Sequence, residues 1–155
     1  MSDSEPFIAH VPGVQYGVLD SLLGYAIRRA QIKTYENFIA ALEPWGITPP
    51  RFSAMVIVSL NPGLKLTQLA RIMGIARSGA VILVDALEEL GYMERKPAPD
   101  DRRAFSLALT AKGRADLERI TELVTAQDKA VVSALDAEEQ QSLHRLLRKL
   151  CSVTA

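Results

Sequence analysis

The residues best equipped for chemistry are cations set apart from acids. From Asn61 to Ile82 the chain carries Lys65, Arg71 and Arg77 and no Asp or Glu, and a second basic pair, Arg102-Arg103, follows Asp101 in the polar stretch Pro97 to Ala104. Guanidinium and ammonium groups so arranged suit a polyanion, because their N–H donors make charge-assisted bonds to phosphate oxygens. Other chemistry finds little footing. His10 and His144 are the only histidines and Cys151 the only cysteine, which make no credible metal set. No Ser-His-Asp arrangement or phosphate-cradling glycine loop is visible, so neither an enzyme nor a bound cofactor is expected.

The elements that must position these cations are legible from spacing. Leu66, Leu69, Ala70 and Met73 recur at helical intervals and stop at Gly74, a residue able to take the positive φ of a tight turn. A second apolar stripe, with Val81, Val84, Leu87 and Leu90, stops at Gly91. Helix, short turn and helix follow one another. Tyr92 to Lys96 and Phe105 to Leu109 then flank the polar tip, and Phe105, Leu107 and Leu109 alternate with Ala104, Ser106 and Ala108. Period two predicts a β-hairpin, or wing.

The second helix of the pair should begin near Ala76, so that Arg77 and Ser78 offer orphan backbone N–H groups to phosphates. Gly79, Val81 and Ile82 would face base edges one and two turns in, with apolar contact to thymine methyls or close backbone approach. Asp85, Glu88 and Glu89 lie on the far half of that helix. The chain as a whole balances 18 Lys and Arg against 18 Asp and Glu, so the case for a nucleic-acid partner rests on distribution rather than on net charge. Arg102 and Arg103 at the hairpin tip suit a narrow, A·T-rich minor groove.

Leu69-Ala70, then Leu87-Glu88-Glu89-Leu90-Gly91, then Asp101-Arg102-Arg103 leading to Leu109-Thr110-x-x-Gly113, resemble the MarR family of winged helix-turn-helix repressors. The combination of D-x-R at a wing tip with L-T-x-x-G behind it is far more restrictive than a lone helix-turn-helix pattern. The resemblance implies a mainly α fold of six helices and a β-hairpin wing, a homodimer, a double-stranded DNA operator, and a small-molecule effector seated between dimerisation and DNA-binding parts. It gives Arg103 the groove contact, and Asp101 would orient an arginine rather than touch DNA. The family usually carries polar or basic side chains where this chain has Gly79, Val81 and Ile82.

The rest of the chain supplies flanking helices. At 155 residues one domain is expected, with residues 48–110 as the winged helix-turn-helix part and residues 14–43 and 111–153 as dimerisation helices. Residues Met1 to about Gly13 read as a loosely ordered arm. Leu19, Leu22, Leu23, Ala26, Ile27 and Ala30 predict a long amphipathic helix from about Gln15 to Leu42, ended by Pro44 and Gly46. Thr48 should cap the next helix, with Pro49 at its first position, and Asn61-Pro62-Gly63 should end it. Thr110 should cap a helix running to about Leu135, and Asp136 with Glu139 forms a capping box for a last helix striped by Leu143, Leu146, Leu147 and Leu150. Both flanks carry more apolar face than the central module covers, which points to a second copy of the chain. Hydrophobic residues make up 48% and charged ones 23%, with no apolar run near the ~20 residues of a bilayer span. The first residues lack a basic n-region and apolar core, and a single cysteine makes no internal disulfide, so a cytoplasmic protein is expected.

Tyr25, Arg29 and Lys33 are four apart and form a row along the first helix, and Trp45 follows at its end. An aromatic ring beside two cations suits an aromatic carboxylate or an acyl-coenzyme A thioester. The plainer alternative is that these long side chains cover apolar surface with their heads in water. Cys151 reads as a plain thiol near the end of the last helix, with a thiol switch as the alternative. The expectation is a ligand-responsive regulator, a repressor of a pseudo-palindromic operator. The competing reading, prompted by Gly79, Val81 and Ile82, is a ligand-sensing or protein-binding module of the same fold without sequence-specific DNA contact.

Overall fold

The computed structural model describes residues 7–98 and 101–152, at 101–104 through the backbone alone. Among these residues it holds six α-helices and one hairpin: α1 (Leu23–Leu42), α2 (Pro49–Leu60), α3 (Leu66–Met73), α4 (Arg77–Glu89), β1 (Met93–Ala98), β2 (Asp101–Leu109), α5 (Ala111–Val131) and α6 (Ala137–Ser152). The expected mainly α winged fold is what the chain adopts.

A single core joins the end of α1, α2, α3, α4, the base of the hairpin and α5, with Leu42, Met55, Leu69, Val84, Leu87, Leu107 and Ile120 almost fully buried. α5 therefore helps to build the core of the central module through Leu117 and Ile120 rather than merely flanking it. α6 buries none of its residues. Leu143, Leu146, Leu147 and Leu150 on α6, and Leu22, Leu23, Ile27 and Ile39 on and beside α1, lie exposed.

Several boundaries differ from the sequence expectation, each for a local reason. The first helix does not start at Gln15. Gly17 takes φ +57° and opens a 3-10 turn (Gly17–Ser21), and Leu22 is extended, so α1 begins only at Leu23. α5 stops at Val131, short of Leu135, because the Gln140 side chain donates to the carbonyls of Val132 and Leu135 at 3.2 and 2.8 Å and satisfies them outside a helix. Thr48 is extended at the N-cap of α2, yet its hydroxyl accepts no bond from the helix. Pro50, at the second helical position, removes one of the two N–H groups it would have served. The capping box of α6 forms as expected: Glu139 N–H donates to Asp136 Oδ1 at 2.9 Å and Asp136 N–H to Glu139 Oε2 at 2.9 Å. The arm is tied down from Phe7 onward, with Phe7 N–H donating to Glu36 Oε1 at 2.6 Å and Arg29 Nη2 to the Ile8 carbonyl at 3.2 Å.

The strands reach further than Lys96 and Phe105, pairing antiparallel from Met93↔Leu109 to Ala98↔Asp101 with an irregularity between Pro97 and Ala98. The alternation holds at the base, where Leu107 and Leu109 are buried, and fails at Phe105, which is 59% exposed beyond the core. Ser106 is buried instead, because the chain at Leu64–Lys65 lies alongside β2: Leu107 N–H donates to the Leu64 carbonyl at 2.8 Å and Lys65 bridges Ser106.

The L-T-x-x-G segment is the joint of this architecture. Thr110 Oγ1 accepts from Gly113 N–H at 2.9 Å and donates to the Gly91 carbonyl at 2.6 Å, while Thr110 N–H donates to the Tyr92 carbonyl at 3.1 Å. A β-carbon on Gly113 would overlap the Tyr92 carbonyl oxygen and lie 2.8 Å from its carbon. Gly113→Ala is therefore expected to destabilise the fold by roughly 2–3 kcal/mol, as forced overpacking against backbone does; unchanged urea denaturation would contradict this account.

Candidate nucleic-acid interface

α3 and α4 are joined by Gly74, whose φ of +64° ends α3, with Ile75 N–H closing the turn on the Ala70 carbonyl at 3.0 Å. α4 then starts from Ala76, which has no side chain to cap it. The N–H groups of its first turn are thus left free for an outside acceptor.

Ala80, Leu83, Val84 and Leu87 form the buried side of α4. Arg77 and Ser78 are exposed at its start, Val81 is half-buried, and Ile82 is 71% exposed. This is the side the sequence assigned to base edges, and it is apolar beyond its first two residues. A β-carbon at Gly79 would meet nothing within 4 Å. The chain's own packing gives no reason for glycine there, although glycine weakens a helix interior.

Asp101, Arg102 and Arg103 open β2, paired through Asp101 with Ala98. Their side chains lie outside the described part of the structure. Two of the three acids on the far half of α4 are engaged by the wing: Arg95 on β1 donates to Glu88 and, at 2.7 Å, to Asp85, while Glu89 is exposed. Spacing along the helix puts these acids on its far half but gives no sign of the cation that partners two of them.

The four candidate effector residues divide into separate groups. Arg29 donates to Tyr25 Oη, and its guanidinium carbon lies 5.0 Å from the Tyr25 ring, 5.0 Å from Tyr16 and 5.1 Å from Phe7. Arg29 Nε is buried without a partner. Lys33 pairs instead with Glu36 at 3.5 Å. Trp45 sits at the other end of α1, under Arg119 at 5.0 Å, with its carbonyl accepting from Tyr92 Oη at 3.1 Å. The Tyr25–Arg29 spacing was readable as neighbours on a helix face. Phe7, Tyr16 and Arg119 were not, since each arrives from a different segment. A groove of about 470 Å³ is lined by other residues, Ser59, Arg114, Leu117, Glu118 and Thr121. Ser59 and Arg114 also border a second groove, of about 330 Å³, that reaches the wing at Lys96 and Pro97. Among the described residues no cluster of His, Cys, Asp or Glu is suited to a metal, and no helix is long and apolar enough to cross a membrane.

A family model described as the MarR family matches residues 45–104. The chain is 34% identical over 136 residues, 87% of its length and 82% of the relative's, to a putative transcriptional regulatory protein for the hcr operon of Thauera aromatica. It is 33% identical over 133 residues, covering 86% of this chain and 96% of the other, to the HTH-type transcriptional repressor Rv2887 of Mycobacterium tuberculosis. The chain belongs to the MarR family. Among solved structures the fold is similar to that of the transcriptional repressor CouR in two states. With CouR bound to a 23-mer DNA duplex the TM-score is 0.83 at 36% identity, covering 89% of this chain and 98% of that one. With CouR bound to p-coumaroyl-CoA the TM-score is 0.84 at 33% identity, covering 91% and 99%.

Gly79 allows a test in which stability and binding move in opposite directions. Gly79→Ala should raise the unfolding free energy by about 0.5–1 kcal/mol, the helix preference for alanine over glycine. If DNA approaches the backbone at that position, the same variant should bind duplex more weakly. Stabilisation with unaltered DNA affinity would show that Gly79 lies off the interface.

Proposed function

We propose that this MarR-family chain is a homodimeric repressor that holds a pseudo-palindromic double-stranded operator and leaves it on binding a small aromatic acid or its coenzyme A thioester. The observation that carries the reading is the exposed, uncapped start of α4, with Arg77 and Ser78 outward; the hairpin that follows carries Arg102 and Arg103 in its sequence. In this reading Arg77, Ser78, Gly79, Val81 and Ile82 lie along the major groove. Arg102 and Arg103 reach the minor groove, and Asp101 orients an arginine rather than touching DNA. The exposed leucines of α6 and the apolar side of α1 supply the dimer contact, residues 14–43 and 111–153 forming the dimerisation part and 48–110 the DNA-binding part. CouR, bound to DNA in one structure and to p-coumaroyl-CoA in another, supports both halves of the mechanism.

For the effector, Tyr25 and Arg29 are the better supported of the four candidates. They touch each other, and Arg29 retains an unpartnered buried donor suited to an anion or carbonyl. Lys33 and Trp45 would need to move to join them. A second reading is favoured by the apolar side of α4: a sensor of the same fold that binds DNA without sequence preference or binds a protein instead. Selection from a random duplex pool separates the two, since only the repressor enriches a two-fold sequence.

Sedimentation should give twice the chain mass at micromolar concentration, as paired half-sites about 34 Å apart require two reading helices. Fluorescence anisotropy on the selected duplex should show p-coumaroyl-CoA, and not coenzyme A alone, releasing the protein. In the same assay Arg103→Ala should lose on the order of 1 kcal/mol or more of binding, whereas Arg28→Ala, on the exposed side of α1, should bind like the parent. Equal affinities for the two variants would mean that the hairpin does not enter the groove.

A further inference from the structure

We propose that Arg95 is a positioning residue that fixes the angle between the wing and α4, and so sets the register between the minor-groove and major-groove contacts. The inference rests on the reading of α4 and the hairpin as the DNA-binding surface.

Arg95 holds α4 in three ways. Its backbone N–H donates to Glu88 Oε1 at 3.1 Å, Nη1 donates to Glu88 Oε2, and Nη2 donates to Asp85 Oδ1 at 2.7 Å. Asp85 and Glu88 are three apart, neighbours on the helix surface, so one planar guanidinium spans two points along the axis. Two anchors resist both sliding and rotation of β1 against the helix, where one would leave a pivot. Side-chain exposure is 29% for Arg95 and 28% for Glu88, so the pair is partly shielded from competing water.

The lever is short but sufficient. From Arg95 to Ala98 is three residues, ~10 Å of strand. A rotation of about 10° at the base would move the tip by ~2 Å, more than a hydrogen bond tolerates. At its root the wing is tied by Tyr92 N–H to the Leu87 carbonyl at 2.9 Å and by Thr110 N–H to the Tyr92 carbonyl at 3.1 Å, and on β2 the Leu64–Lys65 segment holds Leu107 and Ser106, level with Arg95 and Lys96, so that Arg95 is the tie to α4 on the β1 side.

Electrostatics alone and positioning predict opposite signs for one experiment. Asp85→Asn with Glu88→Gln removes two negative charges from a DNA-binding helix, which by charge alone should strengthen binding. If the carboxylates serve to hold Arg95, the double variant should instead bind the selected duplex more weakly, on the order of tenfold. The loss should fall on discrimination among base pairs under the wing, leaving the penalties under α4 in place. Arg95→Ala should show the same pattern, and its salt dependence of affinity should keep the parent's slope, whereas a lost phosphate contact reduces that slope by about one. Glu88→Gln alone, nearly isosteric, serves should the double variant melt below the assay temperature. Binding that is unchanged or tighter in the acid variants, or a reduced slope for Arg95→Ala, would overturn the proposal. A parent protein that selects no duplex would take down the functional reading and this inference together.

Discussion

The Tyr92 carbonyl accepts the Thr110 N–H at 3.1 Å, and Gly113 packs against the same peptide so tightly that no β-carbon fits. Thr110 also binds the Gly91 carbonyl, so the end of α4, the start of the wing and the start of α5 are joined through adjacent peptide groups. The wing is consequently not a free hairpin. It leaves the core between a helix that reads outward and a helix that runs inward, and its direction is set where those two meet. The requirement of L-T-x-x-G for threonine and glycine follows from this packing, with no need of a contact to any ligand.

An electroneutral chain can still offer a cationic face if its acids are occupied elsewhere. Asp85 and Glu88 are held by Arg95, and Asp116 by Lys112 at 3.3 Å. Arg77 stays exposed at the start of α4. Net charge therefore says little here, because the phosphate-facing potential depends on local sums within about a Debye length, ~8 Å at physiological salt.

The helix order and hairpin were legible because each is a local pattern: apolar spacing, a glycine stop, an alternating strand. What escaped was decided by contacts outside each local pattern, or by a single backbone angle. Ser106 looked solvent-facing by alternation and is buried by Leu64–Lys65, over 40 residues earlier in the chain. Gln140 ends α5 from inside the next helix. Gly17 falls within the span that the apolar spacing assigns to a helix from about Gln15, and its positive φ breaks that helix. At the candidate site, the positions of Arg77, Ser78 and Ile82 at the start of α4 could be read from spacing. The partner of Asp85 and Glu88 could not, because Arg95 reaches them only once the wing has folded back. The row of Tyr25, Arg29 and Lys33 was correct as helix geometry, but Lys33 turns to Glu36 and the rings around Arg29 come from the arm.

α5 links two surfaces that the sequence treats as separate. Its first turn forms the joint at Gly113, its Leu117 and Ile120 enter the core, and further along it packs on α1, which carries Tyr25 and Arg29. In the proposed dimer α1 and α6 would be held by the partner copy, so a shift of α1 against α5 could not be absorbed by movement of α1 alone. It would pass along the helix to the wing root, where Gly113 packs against the Tyr92 carbonyl without room for a β-carbon. A joint that tolerates no β-carbon also tolerates little sliding, because packed interiors transmit displacement instead of deforming. An effector seated against α1 therefore need not touch the DNA-binding residues: it has only to favour a spacing of α1 and α5 that the Gly113–Tyr92 contact cannot accommodate with the wings in register.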